Sequence, residues 1–500
     1  MTNQNLYSLF EEKFLANSEK TAFELPSGRT YSFDDVIEKS GQFANLLANS
    51  GAKPGDRVAV QVGKTVEAVF LYLACLRAGL AYLPLNTAYK AAEVEYFLTD
   101  AAPAILVCDP ANKATLAPIA EHAGVEAVFT LDANGEGSLT EAAKNLPSDY
   151  KTIVRAGDDL AAILYTSGTT GRSKGAMLTH NNLASNAKSL VKAWAFTPDD
   201  VLLHALPIFH VHGLFVALHC AFLNANTVIF LAKFDPDTII DYLPRATVFM
   251  GVPTFYVRLL ANKNLTKDAC RNMRLFTAGS APLLEDTFNE FTARTGHVIL
   301  ERYGMSEAGM ITSNPYDGKR IAGSVGFPLD NDVRIADEEG NIVKDGEIGI
   351  LEIKGPNVFK GYWKMPEKTA AEFREDGYFI TGDMTRKGDD GYYRIVGRSK
   401  DLVISGGYNV YPKEIESYLD EMPGVLESAV VGRAHPDFGE VVVAFIVPDG
   451  SVPVNEDMVT TFIKNKLANF KVPKQVYTID ELPRNAMGKV QKNELRKISG

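Results

Sequence analysis

Residues 163–180 read ILYTSGTTGRSKGAMLTH, an apolar run that breaks into hydroxyls and glycines and then meets Lys174. Gly168 and Gly171 let backbone N–H groups turn toward an anion, Thr166, Ser167, Thr169 and Thr170 add hydroxyl groups, and Lys174 adds charge. Such a stretch can cradle a phosphate. It is not the Walker loop, which needs four residues between its glycines and then Gly-Lys-Ser/Thr. A solvent-exposed Ser/Thr/Gly turn is the competing reading. Six consecutive hydroxyl or glycine residues directly after a buried strand favour the phosphate.

The elements that must position this loop alternate between strand and helix. Ser32 is placed to cap a helix with its apolar stripe on Phe33, Ile37, Ala44 and Leu47, and Gly51 stands where a C-terminal glycine belongs. RVAVQV at 57–62 reads as a strand and 65–78 as a helix, so the first part of the chain predicts layered α/β structure. From 321 to 400 short β runs separated by glycine turns predict a small β subdomain. Beyond GRSKD at 397–401 come strands at 428–432 and 441–447. A helix follows with Met458, Val459, Phe462, Ile463 and Leu467 on one face. The fold class expected is therefore α/β, with a large N-terminal domain over 1–399 and a smaller α+β C-terminal domain over 400–500. A chain of 500 residues is in any case too long for one core.

Composition excludes several functions. A net charge of −11 argues against a general nucleic-acid binder, because counterion release needs clustered Lys and Arg. Four scattered cysteines, Cys75, Cys108, Cys220 and Cys270, suggest neither a disulfide framework nor a zinc site and point to a reduced, cytoplasmic protein. The N-terminus lacks the pattern of a signal or transit peptide. Residues 201–231 are the most apolar stretch, but His204, His210, His212 and His219 would be costly in lipid. We read them as buried core, with no membrane span.

TSGTTGRSKG is followed in order by TAGSAPL at 277–283, ERYGMSEAG at 301–309, GYFITGD at 377–383, GRSKDLVISGGYNVYPKEIE at 397–416 and PRNAMGKVQK at 483–492. Together these motifs resemble the adenylate-forming acyl-CoA synthetase superfamily over essentially the whole chain. The resemblance implies ATP, Mg²⁺ and coenzyme A as ligands and a mobile C-terminal domain. The glycine loop would close on the β- and γ-phosphates of ATP, joined in the nucleotide site by Gly279, Ser280, Ala281, Gly304 and the residues named next. Tyr303 offers an aromatic face to adenine, Ser306 a hydroxyl to the α-phosphate region, and Glu307 a hard oxygen to Mg²⁺, with Thr169 as a second metal ligand. Asp383 is an acceptor suited to the ribose hydroxyls, and Arg398 a fixed charge for ribose and phosphate oxygens. Lys400 falls at the hinge, and Gly406 and Gly407 would let pantetheine approach the backbone. Lys489 matches the catalytic lysine, with Lys492 nearby. One departure from the commonest pattern is Ser173, where proline is more usual.

The acid activated is read from the segments expected to line the acyl pocket. His210, in PIFHVHG, and Ser280 belong there by resemblance. Outside that context a lone His in an apolar run is more often a core residue. A short dicarboxylate needs a buried cation for its second carboxylate, and Arg302 and Arg258 are the candidates. Arg258 reads equally well as a helix-surface residue. ERYGMSEAGMITSNPYDGKRIAGSVGFPL, with PIFHVHGLFVALH and GVPTFYVRLL, resembles malonyl-CoA synthetases. The expected substrate is malonate or methylmalonate. The alternatives are another short acyl or aryl acid, or a nucleotide-binding pseudoenzyme, against which Lys489, Glu307, Asp383 and the glycine loop all count.

Overall fold

The computed structural model describes residues 3–166, 173–405, 408–436, 438–485 and 488–499. Ser32 caps the helix Phe33–Asn49 through a reciprocal capping box with Asp35, and Thr65 caps the helix Val66–Arg77. The second helix is apolar on nearly every face, and all but one of its residues are buried. It lies in a core that also holds the helices Leu6–Leu15, Phe33–Asn49 and part of His180–Ala193.

Two large sheets contribute to this core. One has six strands, in the order Ala127–Thr130, Ile105–Cys108, Arg57–Gln61, Ala81–Pro84, Leu160–Thr166, Lys174–Thr179. Its strands pair in parallel except the last, which returns antiparallel from Thr166 to Lys174. The glycine loop connects that hairpin. The other sheet has nine strands, with a parallel run through Leu300–Met305, Leu275–Ala278, Val248–Gly251, Val201–His204 and Thr227–Phe230. Parallel strands carry their sites beyond their carboxyl ends, and Gly279 and Tyr303 lie there.

The expected β subdomain is a four-stranded antiparallel sheet of Asp332–Ala336, Ile348–Lys354, Phe379–Lys387 and Tyr393–Arg398. Residues beyond 400 build a separate five-stranded sheet with helices Pro412–Asp420, Glu456–Lys464 and Lys492–Ser499. On Glu456–Lys464 the buried side is carried by Val459 and Ile463; Met458 points to solvent and Leu467 lies past the helix end. Met458 stands about 100° round the helix from Val459 and about 140° from Ile463, which takes it off the buried face, while Phe462 and Leu467 pack partly buried against the same core. The apolar run 201–231 is several buried elements, among them a π-helical stretch His212–Leu218, a geometry frequent at functional sites. No helix among the described residues is long and apolar enough to cross a membrane.

The amino ends of the nine-stranded sheet are clamped by Asp200. Its carboxylate takes Arg274 Nε and Nη2, both at 2.6 Å, with the Thr197 N–H at 2.8 Å and the Thr247 hydroxyl at 2.7 Å. Burial alone would raise its pKa, but bonds from Arg274, Thr197 and Thr247 outweigh it and the pKa falls. The unfolded chain thus binds this proton more readily. Stability from Asp200 is complete above the ordinary aspartate range and is lost as pH falls toward the depressed folded pKa. Asp200→Asn is expected to destabilise by about 3 kcal/mol, the cost of breaking a buried ion pair. Denaturant unfolding at pH 7 measures this, and the difference from native should shrink at pH 3.

Candidate active site

Lys174, first residue of its strand, is the described end of the glycine loop. Ser167, Gly168, Thr169, Thr170 and Gly171 lie outside the described residues, as do Gly406 and Gly407. The Lys174 ammonium is 3.0 Å from Glu372 Oε1 and 4.5 Å above the Tyr362 ring. Tyr362 donates its hydroxyl proton to Glu372 Oε2 at 2.6 Å, and the Tyr362 hydroxyl oxygen lies 3.2 Å from Glu307 Oε1. The backbone repeats the linkage: Phe359 N–H donates to the Glu307 carbonyl at 2.7 Å, and Trp363 N–H to the Gly175 carbonyl at 2.8 Å. One short segment therefore links Lys174, beside the glycine loop, to Glu307.

Glu307 is buried, and desolvation raises its pKa against the Tyr362 bond and the Arg398 charge, with Glu372 pushing in the same direction as burial. A buried carboxylate of this kind fits a hard cation, whose charge would restore its ionised form.

Alternation along Leu300–Met305 sends neighbouring side chains to opposite faces. Tyr303 donates to Asp383 Oδ2, while Asp383 Oδ1 lies 2.6 Å from Arg398 Nε. Asp383 and Arg398 are register partners on adjacent strands, which explains how residues from two motifs meet. Ser306 follows the same strand, next to Glu307.

Arg302 faces the other way and is only 3% exposed. Nε and Nη2 of its guanidinium have no hydrogen-bond partner among the described residues, and no carboxylate there forms an ion pair with it. Burial pushes its pKa down to about 10. The group lies against Gly279, where a Cβ would stand 2.3 Å from Nη1, so a larger residue there would have to displace the guanidinium. The next residue, Ser280, holds a left-handed backbone (φ +71) with its hydroxyl 3.4 Å from His212 Nδ1. Strain of that kind persists where the surroundings enforce it. Ala281 continues the same turn.

Lys489 reaches this group from the C-terminal sheet's side of the molecule. Its pKa is lowered by desolvation and by Arg398, with Asp383 and Glu307 opposing and Arg302 adding to the fall. Its side chain is exposed to solvent. His210 accepts the His212 N–H at 3.3 Å, and burial, then Lys489, then Arg302 push its pKa down to about 3. The imidazole is neutral at physiological pH. Lys492 is excluded from this cluster, because its ammonium is locked to Glu416 at 2.6 Å. Lys400, in the turn Ser399–Asp401, has its pKa lowered to about 8 by burial and by Arg398.

The structure thus brings together Lys489, His210, Glu307, Tyr303, Asp383, Arg398 and Arg302. Arg258 is left out. It occupies the solvent face of the helix Pro253–Leu260, opposite buried Tyr256, and lines an open surface depression with Asp237 and Lys263. Two residues apart on a helix point about 200° apart, so the face that carries Tyr256 cannot carry Arg258. Sequence reasoning passed over His212, Tyr362 and Glu372. His212 had one signal, its place two residues after His210. The other two had none, because their role arises from contacts between distant segments.

Residues 10–363 match the model of the AMP-binding enzyme family, and residues 414–489 that of the AMP-binding enzyme C-terminal domain. The chain belongs to the AMP-binding enzyme family. The crystal structure of ATP-bound MatB from Rhodopseudomonas palustris superimposes with a TM-score of 0.97 at 56% identity, covering 99% of each chain. A malonate–CoA ligase of Arabidopsis thaliana is 36% identical over 97% of this chain and 84% of its own length. A feruloyl-CoA synthase of an Amycolatopsis species is 34% identical over the whole of both chains.

The two lysines separate experimentally. Lys489→Ala should abolish acyl-adenylate formation, read as pyrophosphate release, with thermal stability unchanged. Lys492→Ala should retain adenylation but lose on the order of 2 kcal/mol in denaturant unfolding, since it strands the mostly buried Glu416.

Proposed function

We propose that this chain is a malonate–CoA ligase, acting on malonate or methylmalonate, that forms an acyl-adenylate from ATP with release of pyrophosphate, then transfers the acyl group to coenzyme A with release of AMP. The observation that carries the reading is Arg302, a buried guanidinium without a carboxylate partner, set beside His210 and Lys489. Uncompensated burial of a charge is costly, and the distal carboxylate of a short dicarboxylic acid would supply the missing partner. The name of the Arabidopsis ligase supports the same substrate class, and the ATP-bound structure of MatB, a protein 56% identical, supports ATP as the nucleotide. An aryl acid, as the name of the Amycolatopsis relative would suggest, offers Arg302 no second charge.

In the first half-reaction the substrate carboxylate attacks the α-phosphorus. Lys489 bridges the attacking and phosphate oxygens, where negative charge accumulates. Tyr303 stacks on adenine, Asp383 and Arg398 hold the ribose, and Ser306 faces the α-phosphate. Lys174 and the hydroxyls and glycines from Thr166 to Gly171 hold the β- and γ-phosphates, and Gly279, Ser280, Ala281 and Gly304 complete the nucleotide and acyl walls. Glu307, with Thr169, would hold Mg²⁺, which neutralises charge on the phosphates when bound. In the second half-reaction the C-terminal domain, residues 400–500, turns about Lys400 relative to residues 1–399. Lys489 withdraws, and Gly406 and Gly407 admit pantetheine beside neutral His210. The four cysteines are buried free thiols, which suits a reducing, cytoplasmic setting.

Arg302→Leu should lower kcat/KM for malonate by about two to four orders of magnitude, taking roughly 3–5 kcal/mol for a broken buried ion pair and 1.36 kcal/mol per tenfold. Butyrate use should be unchanged or improved, and Arg258→Leu should leave the malonate-to-butyrate ratio near native. A parallel fall for both acids at saturating ATP would point to a general adenylation defect instead.

Lys400→Pro tests the pivot. Proline fixes φ, so one half-reaction should survive while the other slows strongly; small, equal effects on both would place the hinge elsewhere.

A further inference from the structure

The Gly488–Lys489 peptide is held at both ends by side chains. Its carbonyl, on Gly488, accepts Arg484 Nη1–H at 2.6 Å, and its N–H, on Lys489, donates to Asn485 Oδ1 at 3.0 Å. The Lys489 carbonyl in turn accepts the Asn485 N–H at 2.9 Å, and Gly488 N–H donates to the Asn485 carbonyl at 2.8 Å. Gly488 adopts φ +73, a conformation that other residues reach only under strain. The direction in which the Lys489 side chain leaves the backbone is therefore set by contacts from within its own turn. Arg484 is itself braced: its Nη2 pairs with Glu427 on the strand Val425–His435, part of the C-terminal sheet.

We propose that Arg484, braced by Glu427, is a positioning residue for Lys489: it fixes the Gly488–Lys489 peptide plane to the body of the C-terminal domain. The proposal rests on the adenylation role given above to Lys489. Charge-assisted hydrogen bonds are the strong ones, and a guanidinium that bonds a carboxylate and a carbonyl at once defines an orientation as well as a distance. Lys489 must place one ammonium between two groups of oxygens, and misplacement by about an ångström is enough to cost a hundredfold in rate. Because brace and lysine sit on the same domain, the brace matters only while Lys489 is in the cleft. A residue needed for folding alone would affect both half-reactions.

The test uses Arg484→Met, Arg484→Lys and Glu427→Gln in the full-length chain, with Lys489→Ala as reference. Single-turnover pyrophosphate release from malonate and ATP reports adenylation, and thioester formation from supplied acyl-adenylate and coenzyme A reports the second step. Arg484→Met is expected to slow adenylation ten- to a hundredfold at saturating ATP while leaving thioester formation within twofold. Arg484→Lys should recover part of the loss, and Glu427→Gln should slow adenylation three- to tenfold. If Arg484→Met does not fold, as judged by thermal unfolding, the Glu427→Gln rates decide the matter alone. Parallel losses in both half-reactions, or no loss in adenylation, would overturn the proposal. If Lys489→Ala itself leaves adenylation intact, the failure lies with the lysine's assigned role instead.

Discussion

A buried positive charge governs the site. Arg302 is 3% exposed and burial lowers its pKa; Lys489 lies close to both Arg302 and Arg398, and Asp383 favours the charged form of Arg398. Of these, only Arg398 has an ion-pair partner among the described residues, Asp383. Without a ligand such an arrangement costs free energy. Dicarboxylate and nucleotide oxygens would offset it, so the polarity of the cleft matches an anionic substrate meeting an anionic cosubstrate. The surrounding histidines fit the same account, since burial keeps His210 and His212 neutral and so adds no further positive charge.

Everything else serves to hold these groups in place. The parallel strands of the nine-stranded sheet end at the cleft and are clamped at their other end by Asp200 and Arg274. The segment from Phe359 to Trp363 ties the phosphate-loop hairpin to Glu307, and its Tyr362 spans Glu307 and Glu372. These contacts join residues from segments far apart in the chain. Precision at the cleft thus depends on the large domain being a well-packed body, and on a separate small domain delivering one lysine into it.

Much of this was legible in the sequence, and the limits are physical. A capping signal at Ser32 and an apolar stripe predicted one helix, and composition the next over 65–78, because local backbone and side-chain chemistry decides where a helix starts; the cap at Thr65 was not singled out. Ordered motifs pointed to Asp383, Arg398, Tyr303 and Lys489 because each motif is a short run of consecutive residues. Arg258 was the ambiguous case: its place in a promising segment said nothing about its face of the helix, which is set by how Tyr256 and Leu259 pack. Tyr362 and Glu372 gave no sign, since a hydrogen-bonded chain across two distant segments has no local spelling. Lys489 was preferred to Lys492 on its place in the motif, and the physical reason that sets Lys492 apart, its partner Glu416 seventy-six residues away, has no local signal.

The contact between Gly279 and Arg302 couples two positions. A methyl group at 279 would stand 2.3 Å from Nη1 and 2.4 Å from Cζ, so any larger residue there requires the guanidinium to move. The missing carbon atom at position 279 thus sets where the positive charge of residue 302 comes to rest.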